Sequence, residues 1–469
     1  MTDSRSYLSR RSLFKVVVGA IDAGMVGCSH AERAPSAKRA HLAAAVETTQ
    51  AHPAPQVFGE GFTQGHKKRD GHAFPKREAS ESCEVVVIGG GPSGLFAAHL
   101  LEGRDVILLE KENRLGGNCS TDAWQGIPFS TGAAFFTDGD TELVELMERV
   151  GVPGRPVKGG DSLIVRGEPY FDFFGEGARR LPFSEAVRAD FRRSAEHAEK
   201  MLRARSSADL DKECFFDHLK PFTPELHQFW DRFGSSNWGA DARSTSARLG
   251  LQAYRWLTGE EQRLTFAGGL GVGAEALGRY VSERSPGRIR QGVFVHHIER
   301  TADGGSVVVH TLKDGEPHAI RAKAVILAVP KFFAARMLQE VEETQRAAMR
   351  EFRYAPYPVF NVCLARSGPQ PAYDNWFIDT PFADFVVADW VVHSGQRSAD
   401  SPSVLTVYHP LAEAKRSELL DDARLVEMAE EVVDHLDRHF PGTKTNVAEV
   451  RVFRRGHALA LPTPGQLSR

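Results

Sequence analysis

Gly89, Gly91 and Gly94 fall at G-x-G-x-x-G spacing within Gly89-Gly90-Gly91-Pro92-Ser93-Gly94, and a carboxylate, Glu110, follows about 20 residues on. These residue types suit a diphosphate and a ribose diol, the polar parts of a dinucleotide. Gly89 permits a tight turn, Gly91 lets a diphosphate approach bare backbone, and Gly94 lets a helix pack closely on a strand. Pro92 and Ser93 open that helix, whose free N–H groups and positive dipole end favour an anion. Glu110 can accept hydrogen bonds from a ribose diol, with Lys111 beside it as a further candidate contact.

The surrounding pattern supplies the elements that must hold these groups. Glu84-Val85-Val86-Val87-Ile88 reads as a parallel strand buried on both faces. Leu95 to Leu101 has a helical apolar pattern, Gly103-Arg104 turns the chain, and Asp105 to Leu109 reads as a second strand ending at Glu110. Strand, glycines, helix, strand and acid thus occur in order within about 30 residues, which is far more specific than a glycine triplet alone.

Arg114-Leu115-Gly116-Gly117 resembles the R-x-G-G motif of FAD proteins with a glutathione-reductase-like fold, where it helps hold the pyrophosphate. Nicotinamide dehydrogenases do not usually carry it, so the resemblance implies FAD. From here most of the chain resembles the flavin-containing amine oxidases, phytoene desaturases and protoporphyrinogen oxidases. Ser130-Thr131-Gly132-Ala133-Ala134-Phe135-Phe136 is similar to the stretch that approaches the flavin, with Gly132 and Ala133 as the carried-over contacts. Leu264 to Gly271 is similar to the central glycine-rich loop. Gly292 to Glu299 resembles the strand that contacts the adenine, with Val295 at the contact. Lys323 to Pro330 resembles the return strand, bringing Ala328 under the cofactor.

The resemblance implies an α/β fold: a glutathione-reductase-like FAD-binding Rossmann domain with an inserted α+β substrate domain. Residues 83–151 and 261–330 would form the FAD-binding domain, and 152–260 with 331–450 the substrate domain. The latter holds Tyr170, Phe171, Phe173, Phe174, Phe215, Phe216, Phe229, Trp230, Phe233 and Trp238. Most of these should be core, because aromatics dominate burial. Val359 to Leu364 and Ser403 to Tyr408 read as strands.

Two departures bear on function. Many amine oxidases of the family place a lysine near the flavin N5 on a substrate-domain strand. Here Pro358-Val359-Phe360-Asn361-Val362-Cys363-Leu364 resembles that strand, with Asn361 at the lysine's place. Asparagine can bond a water but carries no charge. The second departure is at residues 451–469, where Arg454 to Gly465 looks like the start of a late FAD segment. In relatives a further strand, a glycine-acid motif and a long helix follow. Weakened FAD binding and an uncovered sheet edge are the expectations. Three readings stay open: an oxidase transferring hydride from an amine or other apolar small molecule to flavin N5, a desaturase or isomerase of a lipid-like substrate, and a non-catalytic fragment. No catalytic residue stands out.

Lys plus Arg number 58 against 61 Asp plus Glu, a formal net charge of -3 that gives nucleic-acid binding no electrostatic support. Lys67-Lys68-Arg69 reads as a solvated face. Cys28, Cys83, Cys119, Cys214 and Cys363 include no C-x-x-C pair, which argues against a zinc ribbon or a dithiol redox site. His296 and His297 are adjacent on an expected strand, where alternate side chains face opposite ways, so they read as surface residues rather than a metal pair. Residues 1–30 read as an address: Ser9-Arg10-Arg11-Ser12-Leu13-Phe14-Lys15 resembles a twin-arginine signal. Met25-Val26-Gly27-Cys28 resembles a lipoprotein box that would acylate Cys28. Export by the twin-arginine route to the periplasm or cell envelope is the expectation, with residues 31–82 as a flexible linker.

Overall fold

The computed structural model describes residues 52–259, 261–393 and 398–466. The twin-arginine stretch, Cys28 and the helical-looking Ala40 to Thr48 lie outside the described residues. Among those described, two large sheets organise the chain.

The first is six-stranded, in the order Ile289–Arg290, Val106–Leu109, Glu81–Ile88, Glu316–Leu327, Val307–Lys313 and Val293–Arg300. Its centre is parallel: Glu81–Ile88 pairs with Val106–Leu109 on one side and with residues 320–327 on the other. Val86, Val87 and Ile107 are fully buried, as β-branched residues packed from both faces should be. Helix Pro92–Leu100 covers one face; its residues Leu95 to Ala98 are all buried there, together with Phe266 and Leu277. The last three strands form an antiparallel meander.

The second sheet is eight-stranded, in the order Gln56–Gly59, Val447–Ala460, Tyr354–Leu364, Ser403–Tyr408, Asp384–Val387, Asp374–Phe377, Asp161–Val165 and Glu168–Phe171. Every residue of Tyr354–Leu364 is buried. Helix Asp422–His439 lays Leu425, Met428, Ala429, Val432, Val433 and Leu436 on this sheet, an i, i+3, i+4 stripe. Asp421 caps it, its Oδ1 accepting from the N–H groups of Ala423 and Arg424.

Beyond the sheet, helices Glu185–Ala204, Pro224–Trp238 and Ala247–Leu257 enclose Phe173, Phe174, Phe215, Phe229, Trp230, Phe233 and Trp238 in one cluster. Tyr170 and Phe216 pack on its margin, while Phe171 is exposed. Those aromatics are therefore core, as expected from their sheer area.

Several expectations are corrected. Part of the supposed linker is ordered into the fold: Gln56–Gly59 pairs in parallel with Arg451 to Arg454, and Thr63–Arg69 is helical. A boundary at residue 451 also falls inside an element, because Val447–Ala460 is one strand of the second sheet. His296 is not a surface residue but is buried. A register shift between Val295 and His297 inserts a β-bulge, which breaks the alternation on which the surface reading rested. Both rings consequently lie near His310, at centroid distances of 6.2 Å and 5.7 Å.

Residues 323–327 pair with Glu81–Ile88, but among the described residues their other side has no strand, because pairing with the meander stops at Ala322. Val325, Ile326 and Leu327 are only partly buried, unlike their neighbours Val86 and Val87.

Candidate active site

The glycine loop is built as its residue types require. Gly89 sits at φ +105°, a left-handed conformation, and a Cβ there would come within 2.3 Å of the Ala328 carbonyl oxygen. The Ala328 N–H donates to the Ile88 carbonyl at 2.8 Å, so the return strand presses directly on the loop. Gly91 forms the N-cap of the helix, with Pro92 at the first helical position and no side-chain cap. The helix start is thus left for an outside anion. Ser93 is exposed beside it.

The R-x-G-G loop forms the facing wall. The Gly116 N–H donates to the Gly90 carbonyl at 2.8 Å. A Cβ on Gly117 would meet the Gly91 Cα at 3.2 Å, so both walls are bare backbone where they approach each other. Arg114 donates to the Gly117 carbonyl at 3.0 Å and braces its own loop. Glu110, buried at the strand tip, accepts from the Gly90 N–H at 2.6 Å and from the Glu112 N–H at 2.8 Å. Each carboxylate oxygen keeps acceptor capacity for a ribose diol. Lys111 departs from its expected role: its ammonium contacts the Gly61 carbonyl at 3.2 Å and the Glu112 carboxylate. Val295 is buried in the meander strand, whose first residue, Val293, donates to the Glu110 carbonyl at 2.8 Å. The residues present therefore fit FAD: the adenine would lie beside Val295, the ribose at Glu110 and the diphosphate against the adjoining bare backbone of Gly91 and Gly117.

Gly132 and Ala133 continue this wall. Gly132 must be glycine, because a Cβ would lie 2.0 Å from the Asn118 carbonyl oxygen. The stretch is fastened to the second sheet from below. Tyr408 donates to the Gly132 carbonyl at 2.9 Å, and the Asn361 amide donates to the Ser130 carbonyl at 3.0 Å and to Thr406 Oγ1 at 2.8 Å. Asn361 is fully buried, and its Oδ1 has no hydrogen-bond partner among the described residues.

Strand periodicity places a row of ionisable groups on that same sheet face. Asn361 pairs with Thr406, Thr406 with Val386, Val386 with Asp374, and Asp374 with Asp161. One step along, Tyr408 pairs with Asp384. Arg263, buried above them, binds Asp161 and lies 3.3 Å from Asp374. Asp374 and Asp384 lie on adjacent paired strands, and Asp384 accepts from Ser236 Oγ at 2.6 Å, whose oxygen lies 2.9 Å from the Tyr357 hydroxyl.

Burial dominates the titration of this pair. It pushes Asp384 up to about 7 and Asp374 well above the usual carboxylate range, with the Asp384 charge adding to the latter. The pair therefore holds at least one proton at neutral pH. Because the folded value of Asp384 exceeds its unfolded value near 4, its contribution to stability is complete below about pH 4 and is lost as pH rises through 7. Melting temperature should fall across that window, and Asp384→Asn should flatten the decline.

The sequence pointed to the glycine loops but not to Asp161, Asp374, Asp384 or Arg263. Aspartates heading strands that end in apolar residues, as in Asp374-Asn375-Trp376-Phe377 and Asp384-Phe385-Val386-Val387, were the available signal.

Comparison with known proteins agrees with this geometry. The family described as flavin containing amine oxidoreductase matches residues 92–466. The flavin-containing amine oxidase B of Rattus norvegicus is 26% identical over 284 residues, 54% of this chain and 51% of that protein. The chain thus spans about half the length of the curated relatives it matches. Cyclohexylamine oxidase from Brevibacterium oxydans shares the fold, with a TM-score of 0.62 at 17% identity over 82% of this chain and 89% of that one. A CLA-producing fatty acid isomerase from P. acnes does so too, with a TM-score of 0.56 at 17% identity over 79% of this chain and 85% of that one.

Proposed function

The chain belongs to the flavin-containing amine oxidoreductase family, and from that premise we propose that it oxidises an amine, with FAD as the electron acceptor. The observation that carries the amine reading is the buried carboxyl pair Asp374–Asp384. It lies on the sheet face fastened to the Ser130–Gly132 stretch, and a lipid-like substrate would give it nothing to bind. FAD supplies a two-electron acceptor for a substrate hydride when bound.

The remaining work falls to side chains of the chain. Gly91, Gly117, Glu110 and the helix start hold the dinucleotide. Tyr408 and Asn361 fix the Gly132 stretch over the substrate sheet. An amine must lose its ammonium proton before oxidation. A carboxyl group titrating at about 7 is matched to take that proton near neutral pH, and the Ser236–Tyr357 bonds offer it a path.

A second reading, isomerisation or desaturation of a lipid-like substrate, is favoured by Asn361, which brings no positive charge to its strand. Anaerobic mixing of FAD-loaded protein with a panel of amines and unsaturated fatty acids separates the two. Flavin bleaching by an amine, slowed at least about tenfold by Asp384→Asn, supports amine oxidation. Double-bond migration in a fatty acid without bleaching by any amine would replace it with the second reading.

For location, the reading that Arg10 and Arg11 direct export to the cell envelope rests on the sequence alone. Among the described residues no helix is long and apolar enough to cross a membrane. Arg10→Lys with Arg11→Lys should leave the protein in the cytoplasmic fraction, and unchanged fractionation would remove the proposal.

A further inference from the structure

Arg455 is a buried cation whose surroundings do not account for it. Only 3% exposed, it projects from strand Val447–Ala460 onto the loop that follows the R-x-G-G motif. Its Nη2 donates to Ser120 Oγ, to the Thr131 carbonyl at 3.2 Å and to Thr131 Oγ1 at 3.3 Å. All three acceptors are neutral. The Glu60 carboxylate lies 3.5 Å from Nη1, at the outer limit of a bond, and the buried Nε has no hydrogen-bond partner.

A guanidinium taken out of water is costly unless an anion and good hydrogen bonds replace its hydration. Burial is the largest influence on Arg455 and lowers its pKa; the Glu60 carboxylate opposes that shift, and the charge of Arg114 adds to it. Cys119 offers no compensation, because burial pushes its thiol up to about 11 and keeps it neutral.

Position identifies a stronger anionic partner than the Glu60 carboxylate at 3.5 Å. The cofactor wall runs from Val295 through Glu110 to the Gly91–Gly117 contact, and then to Gly132. Arg455 belongs to that last section: a Cβ on Gly132 would lie 3.8 Å from its Nη2. Asn118 holds the strand there, its amide donating to the Ala458 carbonyl at 2.7 Å.

We propose that Arg455 binds the flavin end of FAD, where its charge would favour the flavin that has gained negative charge on two-electron reduction. It would be a binding and tuning residue rather than a proton carrier, since a guanidinium keeps its proton at any working pH. It should then favour reduced over oxidised flavin and raise the reduction potential.

The test compares FAD-loaded wild type, Arg455→Lys and Arg455→Gln. Affinity for FAD and for ADP, which has the diphosphate but no flavin, is measured alongside the flavin midpoint potential. Arg455→Gln should weaken FAD binding about tenfold, leave ADP binding within about twofold, and make the potential more negative. Arg455→Lys, which keeps the charge without the planar fork, should show a smaller but measurable loss of both. Equal losses for FAD and ADP would move the contact to the diphosphate and overturn the assignment. Unchanged FAD affinity and potential in Arg455→Gln would show a purely structural cation. If Arg455→Gln does not fold, Arg455→Lys decides: its charge lacks the planar fork, so FAD affinity and potential unchanged from wild type with a lowered melting temperature overturns the proposal. Failure of the wild type itself to bind FAD would instead strike at the cofactor site as a whole.

Discussion

Replacing Arg263 with methionine is expected to cost about 3–5 kcal/mol of stability, the largest loss from any single side chain in the substrate sheet. Arg263 binds Asp161 and stands 3.3 Å from Asp374, and all three side chains are at most 10% exposed. Without the guanidinium, carboxyl groups on adjacent strands are left buried without a counter-charge. They must either ionise in a low-dielectric interior or take up protons. The substitution also removes a cation stacked 5.2 Å from the centre of the Phe135 ring, on the stretch that carries Gly132 and Ala133. Lysine should rescue little, because one ammonium cannot reproduce a fork that spans two carboxylates. Adding Asp161→Asn and Asp374→Asn to Arg263→Met should recover much of the loss, since the cost lies in the stranded charges rather than in the lost pair. Urea unfolding at neutral pH reads both effects, and an Arg263→Met variant as stable as wild type would contradict this account.

Gly94→Ala should abolish measurable FAD binding, reducing affinity more than about 100-fold. A Cβ at Gly94 would lie 1.8 Å from the Gly89 carbonyl oxygen and 3.3 Å from the Ala328 Cβ. Neither neighbour can yield. Gly89 is held by its N–H bond to the Leu109 carbonyl at 2.8 Å, and Ala328 by its bond to Ile88. The helix must therefore lift away from the strand, carrying its N-terminus out of reach of the diphosphate. Gly103→Ala is the contrasting case. Gly103 also has a positive φ, +84°, but a Cβ there would meet nothing within 4 Å. That change should cost about 1 kcal/mol of backbone strain and leave FAD affinity unchanged. Equilibrium FAD titration of the two variants separates close packing from conformational strain.

The contrast between these sites explains what could be read from sequence. Gly89, Gly91, Gly94 and Glu110 are positioned by one strand–turn–helix–strand unit, so their spacing along the chain carries their geometry. Gly116 and Gly117 follow a few residues later and are legible for the same reason. The carboxyl cluster is different. Asp161, Asp374 and Asp384 meet only because Asp161–Val165 pairs with Asp374–Phe377 and that strand pairs with Asp384–Val387, while Arg263 arrives from elsewhere in the chain. Register between distant strands decides which face each aspartate shares, and a one-residue slip would reverse it.

Gln56–Gly59 was hidden for a similar reason. A four-residue edge strand between proline-rich and glycine-rich pieces has no pattern of its own, and its partner lies at Arg451 to Arg454. The bulge that buries His296 likewise arises from pairing with Val307–Lys313 and leaves no local signature. Asn361 lies between these extremes. Its strand was recognisable from sequence, but its bonds to Ser130 and Thr406 were not, and those bonds make it a fastener for the flavin-facing stretch.

If the loops carrying Gly91, Gly117, Glu110 and Gly132 form one working FAD site, the purified chain takes up FAD. Equilibrium dialysis of the purified protein against FAD, followed by identification of the dinucleotide released on denaturation, tests it most directly. One FAD bound per chain, displaced by ADP and lost in Gly94→Ala, is the predicted result. Folded protein that stays colourless and retains no FAD at saturating concentration would contradict it.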